Sequence, residues 1–148
     1  MEAFRQNPFR SIVSFSAVQD FFANTIASGL FERFPNLRMA SIETGSDWVF
    51  HLFDKFKKSY GQTPHAYAED PRDTFRNHVW VSPYCEDDLI GLRVAIGAER
   101  ILFGSDYPHA EGLADPVSFV KDLDGFSEDV VRLIMRENAR ELSRPHPR

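Results

Sequence analysis

Cysteine is nearly missing from this chain. Cys85 is the only one in 148 residues, which excludes an internal disulfide and any multi-cysteine metal site within one chain. No stretch approaches the roughly 20 apolar residues of a membrane span. The first residues, Met1 to Pro8, lack the basic-then-apolar order of a secretory leader, so a reducing cytoplasm is the expected setting. There is no long basic run, and 17 Lys+Arg stand against 22 Asp+Glu for a formal net charge of −5. That balance argues against a nucleic-acid surface. The spacings H-x-H, H-E-x-x-H and C-x-x-C are also missing, so no complete metal set can be read from local sequence.

What is present is a globular composition. Apolar residues make up 43% and charged residues 26%, which excludes disorder across the bulk of the chain. The length suits one ordinary domain but not a complete (β/α)₈ barrel, which takes about 250 residues. Phenylalanine is frequent, at 14 residues, and reads as an aromatic core or interface rather than a stacking platform.

Residues 1–15 carry no clear period. From Ser16, the residues Val18, Phe21, Phe22, Ile26 and Leu30 recur at helical spacing, and Pro35 ends that run. Residues 37–42 alternate as a short strand, and Glu43-Thr44-Gly45-Ser46 turns into a helix that Ser46 is placed to cap. That helix carries Trp48, Val49, Leu52, Phe53 and Phe56. Residues 57–77 read as a long loop shaping the mouth of a site. Val79–Ser82 is a second strand, Glu86–Ile96 a helix ending at Gly97, and Arg100–Phe103 a third strand. Asp115-Pro116 opens a short helix, and Ser127 caps the last one, striped by Val130, Val131, Ile134, Met135 and Leu142. The tail, 143–148, is expected to fray.

Strands alternating with helices imply parallel pairing through right-handed crossovers, and chemistry in such sheets sits beyond the C-terminal strand ends. Three places follow: Glu43 with Thr44, Ser82 with Tyr84, and Asp106 through His109. A carboxylate at Asp106 can ligate a divalent metal or act as a general base; it is equally a residue that caps a turn. His109 is either a substrate contact or a loop hydrogen-bonder. Glu43 either converges with Asp106, so that the two share a metal or oppose each other's ionisation, or accepts from the amides of the helix beginning at Ser46. His51, His65 and His78 read as surface or structural residues, His146 lies in the tail, and Cys85 has no sequence partner to activate it.

The run Ile101-Leu102-Phe103-Gly104-Ser105-Asp106-Tyr107-Pro108-His109 resembles the last barrel strand of the amidohydrolase-related family, which includes aminocarboxymuconate-semialdehyde decarboxylase-like enzymes. Leu30–Arg38 resembles that family's approach to its sixth strand and Asn77–Pro83 its seventh. Glu111–Pro116 and Glu137-Asn138-Ala139 resemble its C-terminal end. The resemblance covers roughly residues 15–142.

It implies an α/β fold: the C-terminal portion of a (β/α)₈ TIM-like barrel, with three parallel strands and their helices. It implies a divalent metal, often zinc, at the C-terminal mouth, with Asp106 binding the metal or activating its water, and either hydrolysis or non-oxidative decarboxylation of a small molecule. Glu43 stands where some members carry a histidine. The histidines of the family's first and fifth strands have no counterpart here, so self-sufficient metal catalysis is not expected. Ser82, Tyr84 and His109 are the expected substrate contacts.

A part-barrel should expose strand edges and an apolar face. The expected partners are therefore an absent N-terminal barrel half or a partner chain, with association into a homo-oligomer. The second reading is a catalytically incomplete remnant serving as an association or small-ligand module. A receiver-like domain with Asp106 as phosphoacceptor needs about five strands, an acidic pair after the first and a lysine beyond a later strand; only three strands are legible, and no suitably placed lysine follows Asp106.

Overall fold

The computed structural model describes residues 8–84, 87–109 and 112–145. Helix α1 runs Pro8–Ala27 and α2 Leu30–Arg33, followed by strand β1, Met39–Ser41. Helix α3 spans Asp47–Gln62, a 3₁₀ turn Pro64–Ala66, and α4 Pro71–His78, which leads directly into strand β2, Val79–Val81. Helix α5 is Leu89–Ile96. After a 3₁₀ turn at Ala98–Arg100 and a longer 3₁₀ helix at Pro116–Leu123, the chain ends in α6 (Glu128–Arg132), a π-helical turn (Leu133–Glu137) and α7 (Asn138–Leu142).

β1 and β2 pair in parallel, with Met39, Ala40 and Ser41 opposite Val79, Trp80 and Val81. The expected third strand at 100–103 is reduced to one parallel bridge, Val81 to Ile101. The reason lies on its outer side. Leu102 N donates to Val81 O at 2.8 Å, so the groups of Ile101 and Phe103 face away from β2. There the C-terminal helix takes them: Phe103 N donates to Ile134 O at 3.1 Å, and Asn138 Nδ2 donates to Ile101 O at 2.7 Å and Ala98 O at 2.8 Å. The outer edge expected to be open at this strand is met at these two positions by helix groups.

Other expectations also move. α1 starts at Pro8, inside the stretch without a clear period, and breaks after Ala27, where Gly29 takes φ 67. Phe21, expected in the buried stripe, is 51% exposed, whereas Phe22 and Ile26 are buried. The long loop at 57–77 is largely helical, because α3 continues to Gln62 and Asp70-Pro71 opens α4. There Asp70 accepts from Arg72 N at 2.9 Å and from the Arg72 guanidinium. These bonds hold the Asp70 carboxyl below its ordinary pKa.

α5 begins at Leu89 with Asp88 as its cap, accepting from Gly91 N at 2.8 Å; Glu86, the expected start, lies outside the described residues. Asp115 does cap a helix, of 3₁₀ type, and Ser127 caps α6. The expected single last helix is three segments, with the π turn in the middle. Beyond it, the Arg38 guanidinium donates to the Glu141 and Arg144 carbonyls.

The core lies between the sheet and the helices. Val79, Val81 and Ile101 face it, fully buried, with Leu52, Val49, Leu92, Ile96, Phe119 and Ile134. Its centre is aromatic. Phe75 meets Phe22, Trp48 and Phe53 edge-on, with centroids 5.8, 6.0 and 5.2 Å away, and Phe22 stacks on Trp48 at 5.3 Å. Each such ring contributes about 2–3 kcal/mol by burial, so this cluster anchors α1, α3 and α4 to one another. On the opposite face of the sheet Trp80 is 2% exposed, with the Arg100 guanidinium 4.4 Å over its ring. Among the described residues no helix is long and apolar enough to cross a membrane.

Candidate functional site

Because the strands run parallel, their C-terminal ends open on one edge. β1 delivers Ile42 and Glu43, β2 delivers Ser82, Pro83 and Tyr84, and the bridge at Ile101 delivers Gly104 and Asp106. These residues line one cleft of about 70 Å³. Four of the five residues singled out from the sequence, Glu43, Ser82, Tyr84 and Asp106, therefore share one opening. The fifth, His109, is not in its lining: its side chain is 76% exposed, and Nδ1 lies 3.5 Å from Asp106 Oδ2.

Both carboxylate residues sit in an uncommon backbone region. Glu43 has φ 58 and Asp106 φ 52. A left-handed L-residue costs roughly 1–2 kcal/mol, and such residues persist where surrounding contacts over-determine them.

At Asp106 the contacts come from its own loop. Leu113 N donates to Ser105 O at 2.8 Å, His109 N to Asp106 O at 2.8 Å, and Gly112 N to His109 O at 3.1 Å. Gly112 lies so close that a Cβ there would be 2.4 Å from Asp106 O and 2.7 Å from Ser105 O. The Asp106 carboxylate is about a quarter exposed. The neighbouring Glu111 lies outside the described residues.

At Glu43 the contacts come from the loop after β2. Tyr84 Oη donates to Glu43 O at 2.8 Å. Asp87 Oδ2 accepts from Ser46 N at 2.7 Å, Ser46 Oγ at 2.8 Å and Tyr84 N at 3.0 Å. The alternative role weighed for Glu43, accepting from the amides at the start of α3, is thus taken by Asp87 at the Ser46 amide. Ser46 itself makes no side-chain cap on its helix; its hydroxyl goes to Asp87. The sequence reading missed Asp87; the signal available was an Asp-Asp pair of which α5 uses only Asp88 as cap.

The remaining histidines are elsewhere. His51 Nδ1 pairs with Gln19 Oε1 at 2.8 Å. His78 Nδ1 lies 2.9 Å from Leu37 O, with its ring stacked on Phe31 at 4.3 Å. His65 is in the exposed 3₁₀ turn after α3, and His146 is outside the described residues, as is Cys85.

Among the described residues no group of three or more His, Cys, Asp or Glu side chains could hold a metal ion. Asp106 with His109 offers two donors, and Glu43 reaches the cleft from the other wall. The donor set among the described residues does not by itself fit the metal that the family resemblance implies.

The sequence model of the family described as amidohydrolase matches residues 12–144. An amidohydrolase of Mycobacterium avium subsp. paratuberculosis, known from its crystal structure, is similar at 47% identity and TM-score 0.87, covering 92% of this chain and 36% of its own. A dihydroxybenzoic acid decarboxylase of a Polaromonas species, solved with bound manganese and the inhibitor 2-nitroresorcinol, is similar at 23% identity and TM-score 0.62, covering 84% of this chain and 39% of its own. A 5-carboxyvanillate decarboxylase of Sphingomonas paucimobilis is similar at 24% identity and TM-score 0.59, covering 81% and 37%. The chain spans little more than a third of the length of the relatives it matches.

Proposed function

The chain belongs to the amidohydrolase family, and from that premise we propose that it is the C-terminal segment of a metal-dependent hydrolase or non-oxidative decarboxylase with a (β/α)₈ barrel. In this reading Asp106 stands at the metal and water site. The observation that supports it best is the convergence of Glu43 and Asp106, two left-handed carboxylate residues from different strand ends, on one cleft. Asp106 would accept a proton at its carboxylate, and Glu43 would be the second acid–base group on the opposite wall. Ser82 Oγ and the Tyr84 ring would hold a small-molecule substrate between them, with His109 at the rim. The divalent metal, zinc in the family resemblance and manganese in the Polaromonas relative, would need ligands from outside this chain. These would come from a barrel portion N-terminal to it or from a partner chain.

Calorimetric titration with Mn²⁺ and Zn²⁺ tests this reading. The chain alone should take up no stoichiometric metal. Joined with the part of the Mycobacterium relative outside the matched region, it should bind metal and turn over substrate, both lost in Asp106→Asn. Metal binding and turnover that survive Asp106→Asn would overturn the assignment.

A second reading follows from the incomplete donor set: a remnant that associates or binds a small ligand without catalysis. A stable, metal-free homo-oligomer that stays inactive in the joined assembly would support it over the first.

A further inference from the structure

We infer that Asp87 is a positioning residue for Glu43, fastening the loop after β1 to the loop after β2 and so setting where the Glu43 carboxylate meets the cleft. The inference rests on the reading of Glu43 as an acid–base group.

One oxygen of Asp87 takes three donors. Two come from Ser46, at the end of the Glu43 loop, and one is the Tyr84 amide. Hydrogen bonds to an ionised acceptor are about twice as strong as neutral ones. Tyr84 completes the fastening from its other end, since its hydroxyl donates to Glu43 O. Its ring also lies against Gly45, where a Cβ would be 2.9 Å from the ring edge and 3.3 Å from Asp87 Oδ2. Gly45 has φ 60, so only glycine combines that turn with that approach. Trp48 Nε1 donates to Gly45 O at 2.9 Å, tying the same turn down to α3.

Glu43 is thus held left-handed by contacts outside itself: its carbonyl by Tyr84, and the two residues after Thr44 by Tyr84, Trp48 and Asp87. Without the Asp87 carboxylate, Ser46 and Tyr84 lose the acceptor they share, and the Tyr84 hydroxyl bond to Glu43 O is left as the hydrogen bond between the two loops. Glu43 can then relax to the favoured negative φ, which re-aims its side chain at the cleft it lines. Capping of α5 does not account for Asp87, because Asp88 performs it.

The test uses the ¹⁵N-labelled chain and its Asp87→Ala and Asp87→Asn variants. Amide exchange is read at Ser46 and Tyr84, with Leu102 in the sheet ladder as internal control, and the Trp48 indole N–H resonance reports the Gly45 turn. In Asp87→Ala, exchange at Ser46 and Tyr84 should rise about tenfold or more and the Trp48 resonance should move, while Leu102 keeps its protection. Asp87→Asn, which keeps one acceptor oxygen, should fall between. Unchanged exchange at Ser46 and Tyr84, or equal acceleration at Leu102, overturns the inference.

In the assembly with the Mycobacterium relative's remaining part, Asp87→Ala should lower kcat with KM unchanged. Added to Glu43→Gln it should lower the rate no further, because both act through one group. Multiplying effects overturn it. Absence of turnover in the unmutated assembly counts against the proposed activity, and the exchange measurement then decides separately whether Asp87 holds the Glu43 loop.

Discussion

Gly104 and Ser82 face each other across the floor of the cleft, and their contact can be measured directly. A Cβ built on Gly104 would lie 2.3 Å from Ser82 Oγ but 3.6 Å from Ser82 Cβ. The first distance is roughly 1 Å or more inside normal contact, and the second is ordinary contact. Ser82 is 5% exposed, so its hydroxyl makes room only by turning to another rotamer toward the cleft. Gly104 is not among the residues with positive φ, so alanine there meets no left-handed backbone penalty. Gly104→Ala should therefore cost about 1–3 kcal/mol, the usual range for overpacking. Ser82→Ala alone removes a hydroxyl and should cost about 1 kcal/mol or less.

The double variant should recover most of the loss. It can even exceed the native stability slightly, since alanine for glycine reduces the freedom of the unfolded chain by about 0.4–1 kcal/mol. Urea unfolding of all four proteins at one concentration, followed by far-ultraviolet circular dichroism with the slopes compared, yields the coupling energy. A double variant as unstable as Gly104→Ala would refute the contact as the cause.

Gly112→Ala should be more costly, about 2–4 kcal/mol, with no rescue by a side-chain deletion, because the atoms it meets are the Asp106 and Ser105 carbonyls; the same unfolding assay reads it. Asn138→Ala removes both donors that reach Ala98 O and Ile101 O from a residue 3% exposed. At about 1–1.5 kcal/mol for each bond, plus the cost of unsatisfied carbonyls, it should destabilise by about 2–4 kcal/mol and speed amide exchange at Leu102. The Asp70 carboxyl is lowered by Arg72, so the stability it contributes is fully present above the unfolded value of about 3.9 and is lost as pH falls through the lower folded value. In Asp70→Asn the loss of stability between neutral pH and pH 3 should be smaller than in the native chain; equal acid sensitivity would count against the Arg72 contact.

Several parts of this molecule were legible because they depend on neighbours in the chain. The stripe from Trp48 to Phe56 has helical spacing, and it is buried as such. Asp115-Pro116 and Ser127 carry capping chemistry that acts within three residues. The three strand-end positions came from the alternation of strands and helices, which assigns Glu43, Ser82 and Asp106 to one edge without any knowledge of contacts. The stretch at 57–77 was misread because its Pro, Asp and Gly residues punctuate helices as often as they fill loops. Here Pro71 opens a helix, and Asp70 caps it. The strand at 100–103 looked like its predecessors, but its outer groups are taken by Asn138 and Ile134, more than thirty residues away in sequence.

The sequence by itself determined the family, through the ordered motifs around Asp106, and which residues stand at the strand ends, because side-chain type and period are local properties. Only the tertiary structure decided how the two carboxylate residues are held. Asp106 is fastened by a loop that closes on Gly112, and Glu43 by Tyr84 and Asp87, which are 41 and 44 positions later in the chain. The one local bond that brackets the left-handed glutamate, between the Ser41 and Thr44 hydroxyls, leaves its own carbonyl unmet. Groups from another strand end meet that carbonyl, and the packing of β1 beside β2 brings them there.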